Sequence, residues 1–183
     1  MKKPVAAGAL LFIAITQFLM ALRVAESVYP GYSVSGNYIS DLGVGVAAPI
    51  FNTSIIILGL CVVVAAYLVA EVFQSKLFRL FIALAGFGAA GVGTFPENVP
   101  VLHTIMSLIT FLFAGIAAVY GVRVFDRLVG FLSAIAGVVS LAALAFFVSG
   151  NYLGLGHGGM ERLIVYPVLS WGLMLSGYLL SKR

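Results

Sequence analysis

Leu128 to Ser149, LVGFLSAIAGVVSLAALAFFVS, is a run of 22 residues without a single charge. A helix rises about 1.5 Å per residue and the hydrocarbon core of a bilayer is about 30 Å thick, so a run of this length can cross it. Asp126 and Arg127 close the run on one side and Gly150-Asn151 on the other. Its apolar residues do not alternate as in a membrane β-barrel, and an open sheet edge would leave backbone groups unsatisfied in lipid. The stretch therefore predicts a transmembrane helix.

Cutting the rest of the chain at its charges and turn residues yields five more such runs: approximately Pro4 to Val24, Pro49 to Val72, Leu77 to Phe95, Val99 to Val122 and Arg162 to Leu180. The expected fold is all-α, a polytopic six-helix transmembrane bundle forming a single transmembrane domain over residues 1–183. Composition agrees. With 62% hydrophobic and 9% charged residues and a mean hydropathy of +1.16, the chain carries more apolar surface than a soluble domain of 183 residues hides.

The charges that remain mark where the chain leaves the hydrocarbon, because a charge at the bilayer centre costs several kcal/mol. Lys2, Lys3, Lys76, Arg79, Arg123, Arg127, Lys182 and Arg183, eight of the ten basic residues, fall at the termini and at the second and fourth connections. Lys and Arg accumulate on the cytoplasmic side. A multi-pass protein of the cell membrane with both termini cytoplasmic is thus expected, with only Arg23 and Arg162 against the rule. The net charge of +4 comes from basic residues scattered in ones and twos, which form no stripe suited to nucleic acid. Met1-Lys2-Lys3 and the apolar run after it imitate a secretory signal, but the run meets Arg23 instead of a small-residue cleavage site, as a signal anchor would. The lone Cys61 lies within an apolar run and excludes an intramolecular disulfide.

The inner connections are short, and the outer ones, Ala25 to Ala48 above all, are longer and more polar. Asp41, Glu97, Glu161, Arg162 and both histidines, His103 and His157, fall on the outer face. With Ser40 beside Asp41 they form the candidate binding set. Each also has a structural explanation. Ser40-Asp41-Leu42-Gly43 has the composition of a turn or cap. Asn98 suits a helix N-cap ahead of Pro100, and Ser107 and Thr110, on one face below His103, can bond backbone carbonyls at a helix interface. Arg162 opposes the macrodipole at a helix start and needs a partner, expected to be Glu97, Asp41 or an anionic headgroup. His103, His157 and one carboxylate would suffice for a zinc site with an open position, although no compact metal-binding spacing is present; a shared haem is a further alternative. The sequence assigns no cofactor and leaves open whether the protein is an enzyme.

The third run is crowded with small residues from Ala85 to Gly93, as expected of a helix that others approach closely. Trp171 falls about 14 Å below the outer end of the sixth run, too deep for an interfacial belt, and should pack inside the bundle. Ser35-Gly36-Asn37-Tyr38 and Ser149-Gly150-Asn151-Tyr152 share a tetrapeptide without wider self-similarity.

Through Ser40-Asp41-Leu42-Gly43, Phe51-Asn52, Phe95-Pro96-Glu97, His103, Glu161-Arg162 and Trp171, the chain resembles a family of small prokaryotic, often archaeal, six-helix membrane proteins known as a domain of unknown function. The resemblance spans nearly the whole chain and implies the six-helix fold without a reaction. A looser similarity, to membrane hydrolases of the alkaline ceramidase and adiponectin-receptor type, departs in having two histidines instead of three and six helices instead of seven. Two functions follow as expectations. One is a membrane module whose outer cluster binds a lipid headgroup, a partner subunit or a second copy. The other is a metal-assisted hydrolase or transferase acting on a lipid at the outer interface.

Overall fold

A computed structural model describes residues 2–182; Met1 and Arg183, the latter counted above among the terminal charges, lie outside them. The described residues form six long helices and no strand: α1 (Lys3–Val28), α2 (Ala48–Leu68), α3 (Lys76–Thr94), α4 (Pro100–Tyr120), α5 (Arg127–Val148) and α6 (Gly156–Leu180). All six are long and apolar enough to cross a membrane. Their starts follow local chemistry. A proline sits in the first turn of α1, α2 and α4, where its missing N–H costs nothing. The Ser75 and Asp126 side chains accept from Phe78 N and Val129 N and so cap α3 and α5. Asn98 does not cap α4 as expected: Val99 holds that position, and its N–H closes a tight turn onto Pro96 O.

Two helices run longer than their apolar runs. α1 continues to Val28 past Arg23, and α6 begins at Gly156, six residues before Arg162. Gly156-His157-Gly158-Gly159, ahead of the sixth apolar run, is thus the first turn of α6. Its glycines serve close approach: a Cβ on Gly158 would lie 2.0 Å from Asn37 O and 2.5 Å from Val34 O.

Consecutive helices pack side by side, and α6 closes back on α1. At that seam Ser176 Oγ donates to Gly8 O at 2.8 Å, and a Cβ on Gly8 would meet Ser176 O at 2.9 Å. The start of α1 and the end of α6 therefore lie at one end of the bundle, here the terminal end; the connections 29–47, 95–99 and 149–155 make the other, the loop end. α3 is the close-packed helix that its small residues predict. A Cβ on Gly86 would be 2.7 Å from Gly59 O on α2, and one on Gly88 would be 2.7 Å from Thr110 N on α4.

α5 stands outside the inner circle and braces α6. Ser140 Oγ donates to Ile164 O at 2.8 Å, and Trp171 Nε1 donates to Ser133 Oγ at 3.1 Å. Trp171 is buried, as its depth predicts. The other five helices surround a cavity of about 130 Å³ with apolar walls. At the terminal end Phe73, Phe78, Phe125 and Tyr178 interlock beneath it, with neighbouring ring centroids 5.1–6.0 Å apart. Toward the loop end its wall is completed by two polar residues, Ser40 and Glu161.

Candidate functional site

The first connection, 29–47, folds over the start of α6, and the glycines of that turn let the two backbones touch. Gly158 N donates to Ser35 O at 3.0 Å. Gly156 adopts φ +72°, where a side chain would be strained, and its Cβ position is 2.3 Å from Ser35 O. Glu161 and Arg162 then grip the connection. Glu161 Oε2 accepts from Ile39 N at 2.5 Å.

Arg162 Nη1 donates to Val34 O at 2.9 Å and to Gly158 O at 3.0 Å, while Nη2 donates to Glu26 Oε1 and to Tyr32 Oη, both at 2.7 Å. The charged partner of Arg162 is therefore Glu26, not Glu97 or Asp41. Glu26, at the last turn of α1, also binds Arg23 through its other oxygen. The side chains of Glu26 and Arg162 are 5% and 6% exposed, so this is a desolvated pair held by further hydrogen bonds. Those bonds and Glu26 are what allow a cation near the N-terminus of α6 despite the macrodipole. The guanidinium is occupied within the fold. Glu26 is absent from the candidate set read from the sequence; the available signal was an acid just past the end of an apolar run, on the same outer face as an arginine in need of a partner.

Asp41 has the turn role that its Ser-Asp-Leu-Gly context suggests: Oδ2 accepts from Asn37 Nδ2 at 2.8 Å and Tyr38 N at 3.1 Å. Its carboxyl also lies beside that of Glu97. Partial burial, and then the Asp41 carboxyl next to it, push the Glu97 carboxyl up from an ordinary 4.5 to about 7. Both groups are within electrostatic reach of Glu161. Ser40, Asp41, Glu97 and Glu161 thus gather where the cavity meets the loop end, whereas Arg162 faces the other way, toward α1.

The histidines stand apart. His103, buried in the first turn of α4, pairs Nδ1 with Phe95 O at 2.9 Å. His157 pairs Nε2 with Gly36 O at 2.7 Å and sits between the rings of Tyr38 and Tyr152, at 4.8 and 5.6 Å. Burial, and the Tyr152 hydroxyl beside it, push the Tyr38 hydroxyl up to about 12. The two matching tetrapeptides therefore meet at His157, but in different conformations: Gly150 has φ +74° and Gly36 is not left-handed. A three-ligand site of His103, His157 and a carboxylate does not form. Each ring is turned to a backbone carbonyl, and among the described residues no three His, Cys, Asp or Glu side chains converge closely enough to hold a metal. On the inner side of α4, Ser107 and Thr110 line the cavity, and Thr110 Oγ1 donates back to Met106 O at 2.8 Å, as expected of a helix-interface hydroxyl.

Six membrane-length helices, five of them around a largely apolar cavity that carries Ser40 and Glu161 toward the loop end, define a multi-pass integral membrane protein of the helical-bundle class. Within that class the chain belongs to the family described as "protein of unknown function (DUF998)", whose match covers residues 6–178. No curated protein and no solved structure matches it.

Proposed function

We propose that the protein binds a membrane lipid, with part of a lipid chain in the cavity and its head at Ser40, Asp41, Glu97 and Glu161. The observation that carries this reading is the cavity itself. It is a partly open space of about 130 Å³ between five helices, bordered almost entirely by hydrocarbon side chains. The surrounding bilayer supplies hydrocarbon chains that fill it. The polar residues at one end give such a chain a direction, in the usual pattern of a mostly apolar pocket with a few polar groups.

The distribution of basic residues supports an orientation in which the terminal end is cytoplasmic and the loop end faces outward. Lys3, Lys76, Arg79, Arg123 and Arg127 stand at the terminal end, and of the two exceptions Arg162 is neutralised by Glu26. The metal-assisted hydrolase has no comparable support, since both histidines face backbone carbonyls.

Native mass spectrometry of the protein released from lipid nanodiscs tests the lipid reading. The wild type should retain one lipid per chain. Ala89→Phe, which adds a ring to the cavity wall, should lose it while keeping its helical circular dichroism. A wild type that sheds all lipid and instead appears as a complex of chains, or of chain and partner, would transfer the role of the loop end to protein docking.

A further inference from the structure

The lipid reading leaves the chemistry of the head open, and the arrangement of donors and acceptors at the cavity narrows it. We propose that the ligand is an apolar chain ending in a hydrogen-bond donor, a hydroxyl or an ammonium group, and that anionic heads are excluded. The inference rests on the lipid-binding reading above.

Every cation near this end is engaged elsewhere. Both Nη groups of Arg162 are occupied by Glu26, Tyr32 and two carbonyls, its unpaired Nε is sealed from solvent, and the residue does not line the cavity. Arg23 is bound to Glu26 with a side chain 72% exposed. His103 and His157 are committed to the carbonyls of Phe95 and Gly36. The cavity instead meets acceptors. Glu161 is 6% exposed and lines it; Oε2 is held by Ile39 N, and among the described residues Oε1 has no hydrogen-bond partner. Ser40 lies on the same wall, and the carboxyls of Asp41 and Glu97 are within electrostatic reach of Glu161. A carboxylate oxygen without a protein partner beside an apolar space is satisfied by a donor. A phosphate or carboxylate head would meet the Glu161 carboxyl with Asp41 within electrostatic reach, while the Arg162 charge that also reaches Glu161 is already neutralised by Glu26, a juxtaposition that discriminates against it.

The chain contains its own reporter. Trp171, the only tryptophan, lines the cavity about 15 Å below Glu161 at 1.5 Å per residue along α6. Quenching of its fluorescence by terminally brominated dodecanol, dodecylamine and dodecanoate, added to the protein in nanodiscs, measures entry of a chain with each head. Another edge of Trp171 borders a groove between α5 and α6, so quenching that persists in Ala89→Phe reports bromine on the membrane side and is subtracted.

The alcohol and the amine should half-saturate at about tenfold lower concentration than the carboxylate. Glu161→Gln keeps an acceptor for Ile39 N, supplies an amide donor, and should narrow that difference to about twofold or less. If this variant fails to fold, Glu97→Gln, in the connection before α4, should narrow it in the same direction. Equal quenching by all three heads, or a preference for dodecanoate, would overturn the choice of head and leave the lipid reading standing. Absence of quenching by any of them would overturn both.

Discussion

Glu26 binds two arginines at once, one exposed and one buried, and the cost of removing it falls mainly on the buried one. Glu26→Gln conserves volume but leaves Arg162 desolvated without a counter-charge, which costs about 3–5 kcal/mol when a buried pair is broken on one side. Thermal melts in detergent should show that loss. Combining Glu26→Gln with Arg162→Met removes both buried charges and should recover most of it. Glu97 acts in the opposite sense. Its carboxyl holds a proton up to about pH 7 in the folded protein and only to an ordinary 4.5 when unfolded, so between those values the folded state binds more protons. Stability should therefore fall as pH rises from 4.5 to 7, and Glu97→Gln should flatten that part of the profile of melting temperature against pH. A slope that persisted unchanged in that variant would rule Glu97 out as its origin.

At the scale of helices, contact depends on what is missing from the glycines. A Cβ on Gly59 of α2 would fall 2.3 Å from Ala90 N and 2.5 Å from Gly86 O, both backbone atoms, so the helices themselves must separate. Gly59→Ala should destabilise by about 1–3 kcal/mol. Gly177→Ala, with nothing within 4 Å, should be neutral or stabilising by up to about 1 kcal/mol through helix propensity. Chemical denaturation of the two variants side by side separates packing from propensity. The crowding of small residues in α3 was legible in the sequence because such clusters have few other uses in a membrane helix. Gly59 was not, because a single glycine within an apolar run carries no signal of what lies opposite. The start of α6 was misread for a related reason: glycine breaks helices in water, but here Gly158 is the only residue type that fits beneath Asn37 and Val34.

Over the whole molecule, six spans were legible because the penalty for charge in hydrocarbon acts on each segment independently. The Glu26–Arg162 pair was not, since its members are 136 residues apart and meet only because α6 closes on α1. The same holds for the carboxyls at the cavity, whose gathering depends on how the first connection lies over α6. The proposed orientation can be checked with single cysteines placed in a Cys61→Ala background. Val46→Cys, at an exposed position of the first connection, should react with a membrane-impermeant maleimide in intact cells, and Gln74→Cys, between α2 and α3, only after permeabilisation. The reverse pattern would invert the topology.

The clasp between the last turn of α1 and the start of α6 also bears on biogenesis. A chain threaded into the membrane from its N-terminus delivers Glu26 long before Arg162 is synthesised, with Arg23 as its only ion-pair partner in the meantime. Until α6 arrives, the first connection has nothing to lie on and the cavity lacks one wall. A chain that ends before Gly156 would thus be an open bundle with a carboxylate at its rim, and the last helix closes the bundle and pairs that carboxylate in one step.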